Sequence, residues 1–462
     1  MTDTDFSSLP VRPELLASIQ SLGYEAMTPV QAECLPLLLD NQDLLAQAKT
    51  GSGKTAAFAI TLLNKLESKN YQTQALVICP TRELADQVGN EIRRLARTIP
   101  NTKILTLCGG KPMGTQLASL ERDPHIVVGT PGRILKHLNK ASLKINSLKT
   151  LVLDEADRML DMGFLEDIML IIDFVPGDRQ TLLFSATYPD EIQRISNAVQ
   201  RNPADIRVET SHHSKQIKQV FYEVEKNRRT ETLIALLKHY QPESSLVFCN
   251  QKLQCQQLAD ELKQSGFHAL ALHGDLEQFE RDQVLVQFAN KSTSILIATD
   301  VAARGLDIKE LAAVINFDIT HDPEIHIHRI GRTGRAGSEG LAISLFMPSE
   351  QFRVKAIEEY QGIPAHIEKQ SELKSPENFK LYPPMATLFV NAGRKDKIRA
   401  GDLLGALTAD GALPGKSIGK INIFDKIAYV AVEQSLAKQA LQILSEGKIK
   451  GRKFRARRLG PL

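Results

Sequence analysis

Short apolar, β-rich runs recur along the chain, each bounded by turn residues. They fall at 75–79, 104–107, 126–128, 151–153 and 181–184, and again at 246–249, 269–272, 295–297, 314–317 and 342–346. Helical patterns lie between most of them. Strands that are apolar throughout and alternate with helices predict βαβ units, and so a parallel sheet covered on both faces. Local phrases also repeat in order. Leu76-Val77-Ile78-Cys79-Pro80 parallels Leu246-Val247-Phe248-Cys249-Asn250, and Leu107-Cys108-Gly109-Gly110 parallels Leu272-His273-Gly274-Asp275. Two α/β domains of similar topology are therefore predicted in tandem. Asn202-Pro203 and the polar stretch Ser211-His212-His213-Ser214-Lys215 break the pattern between them, and a charged stretch ending in Pro383-Pro384 closes the second. Beyond it the order becomes βαββαβ: strand 386–390, helix 401–407, strands 418–424 and 428–432, helix 433–445 and strand 448–458. The predicted boundaries are 1–208, 209–370, a linker over 371–384, and a small α+β domain over 385–462.

A chain of 462 residues is too long for one core, and 42% hydrophobic with 24% charged residues is the make-up of an ordinary globular protein. No apolar run approaches the roughly 18 residues a membrane span needs. Met1-Thr2-Asp3-Thr4-Asp5 is polar and acidic, unlike a targeting leader. The five cysteines form no CxxC pair and mostly sit inside apolar runs, which points to reduced thiols and a cytoplasmic location. Charge alters the picture more than composition does. Residues 385–462 hold 15 Lys/Arg against 6 Asp/Glu, a net +9, whereas the whole chain carries +3. An acidic body with a basic tail domain suggests a polyanion contact at the C-terminal end, although a lysine-rich solvated surface would look the same.

The candidate chemistry begins at Ala48-Lys49-Thr50-Gly51-Ser52-Gly53-Lys54-Thr55. Glycines let such a loop wrap a phosphate with its N–H groups inward, and a helix starting there aims its positive end at the same anion. In this pattern Lys54 reaches the β- and γ-phosphates, and the Thr55 hydroxyl ligates Mg²⁺. Asp154-Glu155-Ala156-Asp157 follows the strand at 151–153, where open α/β sheets place their ligands. Asp154 suits Mg²⁺, partly through water, and Glu155 suits activation of an attacking water. In His328-Arg329-Ile330-Gly331-Arg332-Thr333-Gly334-Arg335, Arg332 and Arg335 lie three apart among glycines, so both forks can converge on one anion. A basic surface turn or an RNA backbone contact is the plainer alternative. His326 and His328 have metal-pair spacing but lack a third ligand.

Residues from about 6 to 370 resemble the core of a DEAD-box ATP-dependent RNA helicase, with motifs in that family's order. Thr28-Pro29-Val30-Gln31 resembles the Q motif. The resemblance implies that Gln31 reads adenine, that Phe6 stacks on it, and that Ala48 to Thr55 hold the phosphates, with Lys49 standing where Gln is usual. It implies two RecA-like lobes binding ATP with Mg²⁺, and RNA. For the first lobe it implies RNA contacts from Pro80, Thr81, Arg82, Gly110, Thr130 and Arg133, and coupling of hydrolysis to strand separation through Ser185 and Thr187. For the second it implies RNA contacts from Gln278, Arg281, Thr299 and Asp300, a nucleotide contact from Asp307, and γ-phosphate contacts from Arg332 and Arg335.

The tail resembles an RNA recognition motif with a poor aromatic platform, Phe389 and Tyr429. Lys448, Lys450, Arg452, Lys453 and Arg455 are its expected RNA-binding cluster. Its phrases are similar to bacterial family members with a C-terminal ribosomal-RNA-binding domain. That likeness implies separation of short RNA duplexes, targeting to a hairpin of large-subunit ribosomal RNA, a role in large-subunit assembly on pre-ribosomal particles, and a monomer. An ATP-gated RNA clamp would use the same motifs; a DNA motor is disfavoured by the motif match and the tail.

Overall fold

A computed structural model describes residues 4–48, 51–188, 190–208, 217–303, 311–334, 340–374, 376 and 382–460. The chain divides into two compact units, the first formed by described residues up to 208 and the second by those from 217 onward.

Unit 1 holds a seven-stranded parallel sheet of β1 (Leu44–Gln47), β2 (Ala75–Ile78), β3 (Ile104–Leu107), β4 (Ile126–Gly129), β5 (Thr150–Leu153), β6 (Gln180–Ser185) and β7 (Ala204–Arg207), in the order β3-β4-β2-β5-β6-β1-β7. Strands β2, β4 and β5 are buried at every position because both faces are covered. Alternate residues serve opposite cores: Val77, Val152 and Leu182 pack on one side, and Leu76, Leu151 and Leu183 on the other.

The second unit opens with a parallel sheet of β8 (Ile217–Glu223), β9 (Ser245–Phe248), β10 (Ala269–Leu272), β11 (Ile295–Ala298), β12 (Ala313–Asn316), β13 (Gly340–Phe346) and β14 (Ile367–Glu368). Its order, β10-β11-β9-β12-β13-β8-β14, puts the strands in the pattern of the first sheet. The architecture is thus α/β with two RecA-like sheets in tandem, as the duplicated pattern predicts. Both sheets also contain strands the apolar pattern misses. β7 (Ala-Asp-Ile-Arg) and β8 (Ile-Lys-Gln-Val-Phe-Tyr-Glu) carry charges because they lie toward sheet edges with partly exposed faces.

The tail domain folds in unit 2 as an antiparallel sheet of β15 (Met385–Val390), β16 (Ile418–Ile423), β17 (Ala428–Glu433) and β18 (Ala456–Arg458), in the order β16-β17-β15-β18. Helices Ala400–Thr408 and Ala437–Glu446 pack on one face through Leu403, Leu407, Ala440 and Leu444, which meet Leu388, Val390, Val430 and Val432. Two expectations fail here. The last strand spans three residues rather than 448–458. Lys450 and Gly451 both take positive φ, 51° and 78°, which folds Ile449 back onto Arg452 and ends any strand alternation.

The expected aromatic platform is also closed. Tyr429 is fully buried beside Val286 and Leu459, with Phe389 and Phe424 set edge-on to it. Thr387 Oγ1 accepts from Asn290 Nδ2 at 3.2 Å and lies 2.7 Å from Ser292 Oγ, and Met385 N–H donates to the Lys291 carbonyl at 3.3 Å. The open face of the tail sheet therefore sits on the end of helix Gln278–Ala289.

Candidate nucleotide and RNA sites

Every expected unit 1 motif between 47 and 187 follows the carboxyl end of a strand, so sheet register gathers them on one rim. Gln47 pairs with Ser185, and Ala48 N–H donates to the Ser185 carbonyl at 2.9 Å, which places the start of the phosphate loop beside the Ser185-Ala186-Thr187 turn. Ile78 pairs with Leu153, and Asp154 N–H donates to the Ile78 carbonyl at 3.0 Å, so the acidic motif opens directly beside Pro80-Thr81-Arg82.

The phosphate loop is a close backbone fit. Gly53, at φ +101°, begins helix Lys54–Lys65, and a Cβ there would lie 2.6 Å from Gln31 Nε2. Gln31 is held at both ends of its amide. Oε1 accepts from Thr28 N–H at 2.9 Å, and Nε2 donates to the Gly53 carbonyl at 3.1 Å. An amide has two N–H donors and two oxygen lone pairs, so these bonds hold its orientation without exhausting its capacity to read a base edge. Phe6 is buried edge-on against Tyr24. Lys54 is buried, and its Nζ donates to the Ala48 carbonyl at 2.5 Å. Gly51, Ser52 and Thr55 complete the described loop; Lys49 and Thr50 lie outside the described residues.

Asp154 is nearly inaccessible, and burial pushes its carboxyl up to about 7, opposed by Lys54 and reinforced by Glu155. A buried carboxylate whose charge Lys54 and Arg158 only partly offset suits a divalent cation. Mg²⁺ commonly takes one or two protein oxygens and completes its shell with phosphate and water. No cluster of three or more His, Cys, Asp or Glu occurs among the described residues, so an all-protein cage is not what this site offers. Glu155 occupies left-handed backbone space, φ 54°, and its Oε2 accepts from Arg158 Nη1 at 2.7 Å in a buried ion pair. A non-glycine residue held there is under backbone strain of order 1–3 kcal/mol, which surrounding structure must fix.

Asp157 carries no separate role in the sequence reading, yet it joins two motifs. Its Oδ2 accepts from the backbone N–H groups of Ala186 and Thr187 at 3.1 and 2.9 Å. The acidic motif and the coupling turn thus share one carboxylate. Ser185 is buried beneath that turn. On the RNA side, Thr81 caps helix Arg82–Leu95, and Thr130 and Arg133 open helix Pro131–Asn139. Gly110 takes φ +78°.

In unit 2, Arg329 is the organising residue, although the motif pattern alone assigns it no role. Its Nε and Nη2 grip both carboxylate oxygens of Asp300 at 2.7 Å each, and Nη1 reaches the Asp318 carbonyl at 2.8 Å. Asp300, expected as an RNA contact, is held by a buried arginine, which fixes the orientation of its loop. The Thr299 hydroxyl caps the short helix that follows it. Gln278 Nε2 donates to Asp282 at 2.9 Å, and Arg281 Nη1 donates to the His273 carbonyl at 3.3 Å. Arg332 is buried at the end of helix Pro323–Ile330. Asp307 and Arg335 lie outside the described residues. In the tail, Lys448, Lys450, Arg452, Lys453 and Arg455 are all exposed.

His326 is a core residue whose ring nitrogens both face polar side chains, Gln219 and Asn316. It stacks on Phe221 at 5.9 Å. Burial, then the Arg329 charge, lowers its pKa from 6.5 to about 3. Between those values the unfolded chain binds a proton that the folded chain refuses, so stability is lost as pH falls below about 6.5. The slope from this group is about 1.4 kcal/mol per pH unit. Urea unfolding of unit 2 at pH 7 and pH 5.5 checks this, and a His326→Gln variant should show a shallower acid loss. The cysteines are free and buried, and burial pushes the Cys34 and Cys108 thiols up to about 12, too high to be reactive. No helix among the described residues is long and apolar enough to cross a membrane.

Family comparisons agree with this geometry. The DEAD/DEAH box helicase profile matches residues 28–195, the helicase conserved C-terminal domain 226–337, and the DbpA RNA binding domain 387–458. The chain is similar to the ATP-dependent RNA helicase DbpA of Escherichia coli, at 52% identity over 99% of this chain and all of that one. It is similar to the DEAD-box ATP-dependent RNA helicase CshA of Geobacillus kaustophilus, at 44% identity over 77% of this chain and 76% of that one. Among solved structures, Saccharomyces cerevisiae Dbp5 bound to RNA and ADP BeF3 matches with a TM-score of 0.71 and 30% identity, over 80% of this chain and 96% of the other. The chain therefore belongs to the DEAD-box ATP-dependent RNA helicases, in the group that carries a DbpA RNA binding domain.

Proposed function

We propose that this helicase uses RNA-stimulated ATP hydrolysis to separate short RNA duplexes, and that its tail brings it to a hairpin of large-subunit ribosomal RNA during subunit assembly. Lys54, Thr55 and Asp154 hold ATP with Mg²⁺, which neutralises phosphate charge when bound. Glu155 positions or activates the attacking water, and Arg332 and Arg335 take γ-phosphate charge. Backbone contacts by the core leave it indifferent to sequence. The protein works as a monomer in the cytoplasm.

The observation that carries the targeting is the set of exposed basic residues Lys448, Lys450, Arg452, Lys453 and Arg455 on a domain matching the DbpA RNA binding profile. With Tyr429 buried, charge and shape supply this domain's grip more than ring stacking does. The test keeps the chain whole and replaces Lys448, Lys450, Arg452, Lys453 and Arg455 by Gln. ATPase stimulation by a large-subunit RNA hairpin should fall to the level of an unrelated hairpin of equal length. Generic RNA at high concentration should still stimulate. Roughly four lost phosphate contacts would flatten the log–log salt slope of binding by about 3. Preference for the large-subunit hairpin that survives all five replacements would overturn the targeting.

A further inference from the structure

Gln116 lies buried on helix Met113–Leu120, and its amide joins the Gly109-Gly110 turn to helix Pro131–Asn139, both expected to meet RNA. Nε2 donates to the Cys108 carbonyl at 2.9 Å, just before Gly109-Gly110. Oε1 accepts from Arg133 Nη1 and from His137 Nε2, each at 2.9 Å. The same Arg133 nitrogen also lies 3.2 Å from the Lys111 carbonyl, so arginine and turn are tied twice. Neither end of the amide can be exchanged, because Cys108 offers only an acceptor and Arg133 only a donor. The oxygen in turn selects the tautomer of His137 that carries its proton on Nε2, leaving Nδ1 facing the Ser142 hydroxyl at 2.9 Å. Burial, then the charges of Arg133 and Lys140, lowers the His137 pKa and keeps the ring neutral. From the other side the Arg82 guanidinium lies against the turn: a Cβ on Gly109 would sit 3.1 Å from its Nη2.

We propose that Gln116 is a positioning residue for RNA. It sets the Gly109-Gly110 turn and the Arg133 guanidinium in one fixed relation, so that both meet the RNA backbone together. This rests on the reading that Gly110 and Arg133 touch RNA. Only a neutral amide serves. An apolar residue leaves the Cys108 carbonyl and Arg133 without their partner, and a carboxylate opposes its charge to the Cys108 carbonyl.

The test is a double-mutant cycle on the full chain, reading RNA-stimulated ATP hydrolysis against the concentration of polyuridylate. Gln116→Met and Arg133→Ala should each raise the KM for RNA roughly tenfold, with kcat at saturating RNA within about twofold. Combined, they should exceed the larger single effect by no more than about threefold, the share that passes through the Cys108 anchor and the turn, because the rest of the Gln116 effect passes through Arg133. A multiplicative rise, roughly a hundredfold, overturns the proposal, as does a loss in kcat with KM unmoved. Should Gln116→Met fail to fold, Gln116→Glu keeps the acceptor for Arg133 and loses only the Cys108 anchor. It should raise KM roughly threefold, and an unchanged KM overturns the proposal. An Arg133→Ala chain with wild-type KM would instead remove Arg133 from the RNA site, a result separate from the coupling.

Discussion

Glu155→Gln should stop ATP hydrolysis while leaving a chain that still binds ATP. The substitution is nearly isosteric, and the amide oxygen can still accept from Arg158 Nη1 across the 2.7 Å contact seen for Oε2. What is lost is the anionic oxygen that orients or deprotonates water. General-base assistance is typically worth 10²–10⁴ in rate, so phosphate release at saturating ATP and RNA should fall by at least about two orders of magnitude. Lys54→Ala should behave differently and weaken nucleotide binding itself, because the ammonium meets phosphate in the bound ground state. A Glu155→Gln chain that releases phosphate at the wild-type rate would remove Glu155 from the chemistry.

A second large effect is expected at Arg332, and its contrast with Arg329 is the informative part. The two stand three residues apart in one motif and are both buried, and Arg329 grips both oxygens of the Asp300 carboxylate through Nε and Nη2. Truncating Arg329 leaves Asp300 without that cation. Asp300 keeps 24% of its side chain exposed, so the cost lies below the roughly 3–5 kcal/mol of a fully buried pair. Arg329 also loses its bonds to Asn316 and the Asp318 carbonyl, and Arg329→Ala should lower the unfolding midpoint of unit 2. Arg332→Ala should depress turnover far more than ATP affinity, because a γ-phosphate contact matters mainly in the reacting state. Arginine fingers in other phosphoryl-transfer systems contribute on the order of 10³–10⁵. Single-turnover hydrolysis alongside nucleotide titration checks both variants. Unchanged turnover with weakened RNA binding in Arg332→Ala would favour the plainer reading of a basic turn.

Much of the fold is legible in the sequence, for a physical reason. Parallel strands buried on both faces must be apolar throughout, so β2, β4, β5, β9 and β11 stand out as runs. Phosphate loops need glycine where φ is positive, so Gly51 and Gly53 mark themselves. Edge strands lack that signature, and β7 and β14 escape the pattern because half their surface meets water. The tail fails differently. Lys448 to Arg455 has the composition of a charged edge strand, and only the adjacent Lys450-Gly451 hints at the turn that replaces it. Tyr429 reads as a stacking ring because an aromatic on an open sheet face does not reveal a neighbour some 140 positions earlier. The residues that organise the sites, Asp157, Gln116 and Arg329, are polar groups satisfied by backbone groups or by neighbouring side chains. Their roles come from geometry that no local pattern carries, although a charged or amide residue inside a motif is a cue to ask what it holds.

The proposed activity meets its most direct test in single-turnover strand separation by the full chain. The substrate is a short RNA duplex joined to a large-subunit ribosomal RNA hairpin, with the same duplex joined to an unrelated hairpin for comparison. The account predicts strand release that requires ATP and is faster on the large-subunit hairpin; with RNA in excess, the Glu155→Gln chain should stop after one round. Tight, ATP-dependent binding to both substrates with no strand released would contradict it, and would make the protein a clamp.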